Sequence, residues 1–266
     1  MRFILLATSL SILIASTGVH AGDLAAISPS TDNSALEIIF ENHKGEQGRV
    51  VIDNETMIRA ENEKHNAHYL LINPDKPSLW LIDMGRQQRV DGHTILFTGK
   101  AAPHSILRIG PGPEVVGRPT IEYEIRDLND NYCSKIYIMP LDGDEDERLL
   151  IMQQFLSQLA INPAGMLPIL GPLAAGLISP CVRAELDAMP QLAKVGIPVM
   201  RINNKGKRTF IVTDIRERPP LKTCLTTLPE HYESLTAGQA AMQTLKRTIF
   251  GTDSRKTNRI SLDDCP

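Results

Sequence analysis

The sequence predicts an α+β fold in which a helical insertion interrupts an antiparallel sheet. Short runs rich in Ile, Leu, Val and aromatic residues, separated by turn residues, recur over residues 35–139 and again over 199–226. Between them, residues 149–182 form a stretch of 34 residues without a charged side chain, in a chain that is 22% charged. Helical spacing inside this stretch predicts helices that pack against the sheet.

The first 21 residues have the pattern of a cleavable export signal. Arg2 precedes an uncharged apolar core over residues 3–15, and Val19 and Ala21 occupy the two recognition positions before a cut after Ala21. The apolar core is too short for a membrane span, so no transmembrane span is expected in the mature chain. We therefore expect a periplasmic or secreted protein of a bacterial envelope, with a flexible segment over residues 22–34.

The mature chain is long enough for one large domain. We expect a single α+β domain over residues 35–250, with the helical insertion at 144–195 and a C-terminal tail at 251–266. Only one of the basic residues lies in the signal, so the mature chain carries 27 basic and 31 acidic residues, a net charge of −4. Basic residues are dispersed and aromatic residues are few, which argues against nucleic-acid binding.

Four cysteines lie in the mature part of the chain, at Cys133, Cys181, Cys224 and Cys265. An even number in an exported chain predicts two disulfides, and four cysteines allow three connectivities. We favour Cys133 with Cys181 and Cys224 with Cys265. No CxxC spacing indicates redox chemistry or a zinc site.

The strand regions read as a meander with at least one half-buried sheet face. Ile121, Tyr123 and Ile125 alternate with charged residues, as in a strand with one wet face. Further local patterns predict a loop at residues 110–113, a hairpin of residues 199–202 and 209–215 around a turn at 203–206, a short strand at 222–226, and a final helix at about 235–250.

The insertion begins with an acidic run over residues 142–147. Such a run is typical of a helix N-terminus, and it also resembles part of a calcium-binding loop. The run lacks the glycine and the distal glutamate of an EF-hand. Leu149, Met152, Leu156 and Leu159 then recur at helical spacing. Prolines and glycines break residues 163–178, and Ser179 and Pro180 resemble the start of a second helix.

No catalytic motif stands out in the sequence. It contains no HExxH and no GxSxG, and His65 and His68 form its only local histidine pair, which favours exposed polar residues over a metal site. No metal or cofactor is expected. A non-catalytic protein is the prediction, with a hydrolase that has a scattered site as a further alternative.

Several segments resemble exported DUF4412-type proteins, which are loosely similar to the LolA/LolB lipoprotein carrier architecture. They are residues 69–83 (YLLINPDKPSLWLID), 115–125 (VVGRPTIEYEI) with 133–139, 196–202 (GIPVMRI), 212–215 (VTDI) and 225–232 (LTTLPEHY). The resemblance implies a curved antiparallel half-barrel with helices over its concave face, and it transfers no catalytic residue. The apolar 163–179 segment, the four cysteines, the extra C-terminal helix and Leu225 in place of phenylalanine depart from that pattern.

The uncharged insertion and the one-sided strands together predict an apolar cleft that binds a lipid or other hydrophobic ligand. The predicted lining residues are Met152, Phe155, Leu156, Leu159, Met166, Leu167, Leu170, Leu173, Leu177 and Trp80. The alternative is a protein–protein module in which residues 163–178 bind an envelope partner. A further alternative is that the apolar side chains of the insertion complete the protein core and bind no ligand.

Overall fold

The computed structural model describes residues 34–53, 57–62, 68–74, 78–91, 104–141, 146–158, 179–236 and 239–240. Within these residues the chain forms one large sheet with a few helices, which confirms the predicted α+β class. The sheet is not closed into a barrel, because the strands at its two ends do not pair with each other. No described helix is long and apolar enough to cross a membrane.

Twelve strands and three helices are described. The strands are β1 (Ala35–Asn42), β2 (Gln47–Ile52), β3 (Ile58–Asn62), β4 (His68–Asn73), β5 (Ser78–Asp83), β6 (Gln88–Asp91), β7 (Ser105–Val115), β8 (Arg118–Arg126), β9 (Tyr132–Pro140), β10 (Gly196–Asn203), β11 (Arg208–Arg218) and β12 (Glu233–Leu235). The helices are α1 (Glu147–Gln158), α2 (Pro180–Ala193) and α3 (Thr223–Thr226).

Two antiparallel meanders make up the sheet. Strands β1 to β6 form the first, and β7 to β9 continue through β10 to β11 in the second. The pairing of β1 with β11 joins them, so the strand order is β12-β6-β5-β4-β3-β2-β1-β11-β10-β9-β8-β7. The predicted antiparallel meander and the predicted β10–β11 hairpin are therefore confirmed, while the parallel β12–β6 pair was not predicted.

Helices α1 and α2 cover one face of the sheet, which we call the helix face. Their apolar side chains share one core with alternate residues of the strands, for example Leu36, Ile38 and Phe40 of β1. The predicted start of α2 is confirmed, because the Ser179 hydroxyl accepts a hydrogen bond from the backbone N–H of Val182 and proline follows Ser179.

Two side-chain links fasten α2 to the sheet. Cys133 of β9 and Cys181 in the first turn of α2 form the predicted disulfide. It closes a loop with a sequence separation of 48 residues, for which loop-closure entropy alone gives about 4 kcal/mol of stabilisation. Arg201 of β10 donates to both carboxylate oxygens of Glu185, each at 2.6 Å. Cys224 is also disulfide-bonded, and its predicted partner Cys265 lies outside the described residues.

The opposite face of the sheet is partly covered by the chain that follows β11, and we call it the outer face. Leu221 and Leu225 pack on Ala35 and Val51 there. The prediction of a strand at residues 222–226 is wrong, since α3 occupies this position. The β-branched residues of segment 222–226 favour a strand. Leu221 and Leu225 instead pack on the sheet and hold the segment as a short helix.

Residues 110–113, predicted to be a loop, lie inside β7. β7 is the last strand of the described sheet, where a proline needs no ladder partner for its missing N–H. Two register shifts absorb the irregular backbone around Gly110 and Gly112. Gly112 is required because a Cβ atom there would overlap Thr120 and Tyr137.

The start of the predicted C-terminal helix is described, although most of it is not. Thr236 and Gln239 exchange hydrogen bonds between side chain and backbone in both directions, which is the capping box of a helix N-terminus. The rest of the predicted helix, the tail at 251–266, the signal at 1–21 and the segment at 22–33 lie outside the described residues.

Buried charges cross four strands on the outer face. Glu37 of β1 accepts from Arg49 at 3.1 Å, from Arg216 at 2.9 Å and from Arg218 at 3.2 Å. Arg49 also donates to Glu61 of β3. We call this set of side chains, together with Arg59, the arginine–glutamate network.

Arg59 completes the network at β3. It donates to Glu61 at 3.0 Å and to the Leu225 carbonyl at 3.1 Å, and it lies over the ring of Tyr69. The network therefore ties the covering turn α3 to the sheet through a buried guanidinium. Burial raises the pKa of the Glu37 carboxyl, but the hydrogen bond from Arg216 and the charges of Arg218 and Arg49 outweigh it, so that this pKa is lowered.

We expect Glu37→Gln to lower the free energy of unfolding at pH 7 by about 3 kcal/mol or more, because it leaves converging guanidiniums without their buried carboxylate. A group with a lowered pKa stabilises the folded state above its unfolded pKa, and that stabilisation is lost as the pH falls through the folded value. The gap between the natural protein and the variant should therefore narrow below pH 4.5, the ordinary value for this carboxyl.

Urea unfolding of both proteins across this pH range measures the effect. The control is Glu217→Gln, since the Glu217 side chain is 62% exposed and its partner Arg148 keeps its hydrogen bonds with Asp146 and Ser34. This control should change the free energy of unfolding by less than about 1 kcal/mol. A pH-independent gap for Glu37→Gln would contradict the role assigned to its charge.

Candidate functional site

A cleft of about 420 Å³ opens where the first turn of α1 meets β1, β11 and the β7–β8 turn. Its volume lies in the range of small-molecule sites. The cleft is on the side of the sheet that the helices cover, since Leu36 and Leu149 both belong to the core of the helix face. We call it the α1 cleft.

One side of the α1 cleft is apolar. Leu36 of β1, Leu149 of α1, Ile215 of β11 and Val116 of the β7–β8 turn line it. Leu36 and Leu149 are buried, whereas Ile215 and Val116 are partly buried. The core of the helix face thus reaches solvent at this point and offers an apolar surface to a ligand.

The opposite side of the cleft is polar and includes Asp146, which lies at the start of α1. Its carboxylate accepts hydrogen bonds from the backbone N–H of Arg148 at 2.9 Å and from Arg148 Nε at 2.7 Å. Burial raises the pKa of Asp146, but its hydrogen bonds with Arg148 outweigh this effect and lower the pKa. Asp146 is therefore a charged helix cap, which confirms the helix-start interpretation for this residue of the acidic run.

Arg148 also holds the chain that leads into β1. It donates to the carbonyl and hydroxyl of Ser34, each at 2.9 Å, and pairs with Glu217 at 3.0 Å. The hydrogen bond with Asp146 is the main reason that the pKa of Arg148 is raised. One guanidinium thus connects α1, β11 and the entry to β1 at the edge of the cleft.

A β-bulge places two further polar residues at the α1 cleft. The pairing of β1 with β11 shifts register between Ile39 and Phe40, which leaves Thr213 as the extra residue of β11. Thr213 donates to the Ile39 carbonyl at 3.4 Å, and Asp214 lies 3.4 Å from Arg216. Both residues border the cleft, but the carboxylate of Asp214 is directed to Arg216, the partner of Glu37 on the outer face.

Val116 has a strained backbone at the rim of the α1 cleft. It has a φ of 49° and is followed by Gly117 with a φ of 73°, which together make a two-residue turn between β7 and β8. Asparagine or glycine is the usual residue at the first position, and a β-branched side chain there is an outlier. The turn also presents Arg118, whose guanidinium lies 3.7 Å from the sulfur of Met139.

The predicted lining residues on α1 lie in the core. Met152, Phe155 and Leu156 are buried in the same cluster as Leu149, but they do not line the α1 cleft. The remaining predicted lining residues of the insertion lie outside the described residues. They are Leu159, Met166, Leu167, Leu170, Leu173 and Leu177.

Trp80 lies apart from the other described members of that prediction. It packs on the outer face with Tyr69, Leu71 and Tyr232, whereas α1 covers the helix face. Trp80 pairs with Leu71 across β5 and β4, which fixes the side on which it lies. The structure therefore does not bring Trp80 to Met152, Phe155 or Leu156.

A group of possible metal ligands comprises Asp127, Cys133 and Cys181. Both cysteines are in the disulfide, so neither offers a thiolate. Asp127 accepts hydrogen bonds from the backbone N–H groups of Asn129 and Asn131, and the bonds with Asn131 lower its pKa. This group closes the β8–β9 turn and is structural.

The arrangement at the α1 cleft suits binding of a molecule with an apolar part and a polar end. Sequence reasoning placed Leu149 in the helical insertion, but none of the eight residues that line the α1 cleft was among the predicted lining residues. They are Leu36, Val116, Arg118, Asp146, Leu149, Thr213, Asp214 and Ile215. The Val116-Gly117 pair could have predicted the strained turn at the rim of the cleft, because valine is unfavourable at the first position of such a two-residue turn. Nothing in the sequence marks the bulge at Thr213, because it arises from the pairing of distant strands.

Comparisons with known proteins give one distant structural likeness. No protein family matches the sequence, and no curated protein does either. A structural comparison matches the chain to an uncharacterized conserved protein from Thermus thermophilus with 11% sequence identity and a TM-score of 0.39, covering 77% of this chain and 91% of that chain. The resemblance to DUF4412-type proteins therefore stays a prediction.

We expect Val116→Asn to raise the free energy of unfolding by about 1 kcal/mol, because asparagine tolerates a positive φ that strains valine. Thermal and urea unfolding measure the change. The matched control is Gly117→Ala, which adds strain at a φ of 73° without a steric clash and should lower stability by about 1 kcal/mol. Equal stability of Val116→Asn and the natural protein would show that the turn carries no strain.

Proposed function

We propose that the chain is an exported, non-catalytic protein that binds a lipid or another hydrophobic ligand. The α1 cleft is the observation that carries this proposal, since it joins an apolar wall to a polar rim in a volume of about 420 Å³. Sites of this kind orient a ligand by a few polar groups and gain affinity from the apolar surface that they bury.

The apolar surface has a natural extension beneath α1. Leu149 lines the cleft, and Met152 and Leu156 follow it at helical spacing toward the middle of the helix face. An acyl chain that enters beside Leu149 would follow this row of side chains if α1 moved outward. The predicted insertion continues over the uncharged residues 159–178, which lie outside the described residues.

The shape implied by the family resemblance fits this role. A sheet that curves as a half-barrel would place its concave side under α1 and α2, as in the carrier architecture of the LolA/LolB type. The antiparallel sheet with helices on one face supports this part of the proposal. The half-barrel and the family assignment are both parts of the proposal.

The compartment is the third part of the proposal. A disulfide between Cys133 and Cys181 points to an oxidising environment. The signal pattern over residues 1–21 is consistent with passage into the periplasm or out of the cell. Both observations fit a carrier in the bacterial envelope.

When the whole chain is produced in a bacterium, we expect the mature protein in the periplasmic fraction with Gly22 as its first residue. Intact-mass measurement and N-terminal sequencing of the purified protein check this. A matched chain with Ala21→Asp should keep the first 21 residues, because an acidic side chain blocks the recognition position before the cut. Recovery of the natural chain uncut from the cytoplasm would contradict export.

We expect Ile215→Trp to weaken binding of a fluorescent C18 fatty acid at least tenfold, because the larger side chain fills the α1 cleft. The matched control is Ile211→Trp on the same strand. Ile211 pairs with Glu41, four positions along β11 from Ile215, and does not line the cleft. Fluorescence titration gives both affinities, and circular dichroism confirms that both variants are folded.

Two results would contradict ligand binding in this cleft. One is the absence of extractable lipid together with no saturable uptake of the fatty acid by the natural protein. The other is equal affinity of the Ile215→Trp variant and the natural protein. In the second case binding would have to occur elsewhere in the chain.

A protein–protein role is the second candidate, favoured by exposed apolar residues at one corner of the sheet. The exposed large hydrophobic residues of the described chain are Leu107, Ile109, Leu128 and Val182. Leu107 and Ile109 lie on β7, Leu128 lies in the β8–β9 turn, and the disulfide at Cys181 holds Val182 beside β9. Exposed apolar groups of this kind can mark a binding surface. Specific capture of an envelope protein, lost on Leu128→Asp, without any lipid uptake would favour this role.

A further inference from the structure

We infer that the α1 cleft binds the apolar end of an acyl chain and leaves the polar head group of the ligand at its rim, in solvent. This inference rests on the proposed function and concerns the same site. The alternative orientation would place the head group inside the cleft, against charged side chains of the protein. The partners of the charged residues at the cleft decide between the two orientations.

Asp146 is already paired. Arg148 contacts both of its carboxylate oxygens, and the backbone N–H of Arg148 donates to one of them as a helix cap. The same guanidinium also binds Ser34 and Glu217. A head group that took one of these partners would unfasten the first turn of α1, so Asp146 and Arg148 serve the structure of the helix start.

The other two charged residues that line the cleft are engaged as well. The carboxylate of Asp214 is directed to Arg216, the partner of Glu37 on the outer face. The guanidinium of Arg118 lies 3.7 Å from the sulfur of Met139 and has a further partner. A charged head group inside the cleft would therefore lose water without gaining a free opposite charge among the described lining residues, which is unfavourable.

The apolar wall of the cleft suits the other end of the ligand. Leu36 and Leu149 belong to the core of the helix face, so the wall leads from solvent toward the core. Thr213, the one uncharged polar residue among the described lining residues, donates its hydroxyl to the Ile39 carbonyl. A hydrocarbon chain gains free energy as it removes apolar surface from water, so the end of the chain that faces the core should be the methyl end.

The far end of the chain, rather than its head group, thus defines the ligands that fit. Ligands with an unsubstituted methyl end should bind, whether the chain belongs to a free fatty acid or to a lipid. A polar group at that end would lie on Leu36, Leu149 or Ile215 and lose its hydrogen bonds with water, so ligands that carry one should bind weakly.

Two isomers of hydroxyhexadecanoic acid distinguish the two orientations, because they differ only in the position of one hydroxyl group. In 2-hydroxyhexadecanoate the hydroxyl lies beside the carboxylate, and in 16-hydroxyhexadecanoate it lies at the far end. Displacement of the fluorescent C18 fatty acid from the natural protein gives the affinity of each isomer. We expect 16-hydroxyhexadecanoate to bind at least about tenfold more weakly than 2-hydroxyhexadecanoate, as the burial of one unpaired hydroxyl would produce.

Ile215→Thr assigns the effect to the cleft. Threonine keeps a β-branched side chain, which suits a strand, and it adds a hydroxyl to the apolar wall. The two isomers should then bind within about threefold of each other, because the far hydroxyl gains a polar partner. The matched control is Ile211→Thr, on the same strand but not at the cleft, which should keep the tenfold difference. Circular dichroism confirms that both variants are folded.

The outcomes separate this inference from the proposed function. Failure of the natural protein to take up the fluorescent fatty acid overturns the proposed function itself. Uptake with equal affinity for the two isomers, or with tighter binding of 16-hydroxyhexadecanoate, overturns the orientation and leaves ligand binding intact. A tenfold difference that Ile215→Thr retains would also overturn it, since the far end of the chain would then contact another part of the protein. The natural protein tests the orientation even if Ile215→Thr does not fold.

Discussion

The pairing of β1 with β11 is the contact on which the rest of the structure depends. It joins two meanders that would otherwise form separate small sheets, and it brings together strands that are more than 160 residues apart in the chain. The bulge at Thr213 exists only because these strands pair, and so does the α1 cleft that Leu36 and Ile215 help to line. The candidate site therefore depends on long-range pairing, which has an entropic cost of loop closure.

The arginine–glutamate network explains how that pairing keeps its register. Side chains alternate between the faces of a strand, so a slip of one residue would turn Glu37 into the apolar core of the helix face. Its three arginine partners on β2 and β11 would then lose their carboxylate. Burying an unpaired charge is strongly unfavourable, so the network penalises a shifted register more than apolar packing could.

Sequence reasoning recovered the features that depend on local chemistry. The β10–β11 hairpin was predictable because Asn203 closes its own turn through hydrogen bonds to Lys205 and Lys207, and the start of α2 because Ser179 caps it. The disulfide between Cys133 and Cys181 was also predicted, as one of three possible connectivities. The hairpin and the helix start are each determined by a few neighbouring residues. The disulfide was predictable because four cysteines allow only three connectivities.

The features that sequence reasoning predicted wrongly or missed depend on residues that are distant in the chain. The side of the sheet on which Trp80 lies follows from the register of β4 and β5, which its own neighbours in sequence do not reveal. Residues 222–226 have strand-like composition, yet their contact with Ala35 and Val51 decides their conformation. The cleft residues Asp214 and Ile215 looked like an ordinary strand, because the bulge depends on pairing with β1.

The prolines of β7 have a consequence for the behaviour of the protein at high concentration. A long sheet with an open end strand is a template on which a second chain can add, and chains that do so aggregate. Pro111 and Pro113 remove two N–H donors from that strand, and the register shifts beside them bend it away from a flat edge. The irregular GPGP sequence thus disfavours the addition of a further strand at this end of the described sheet.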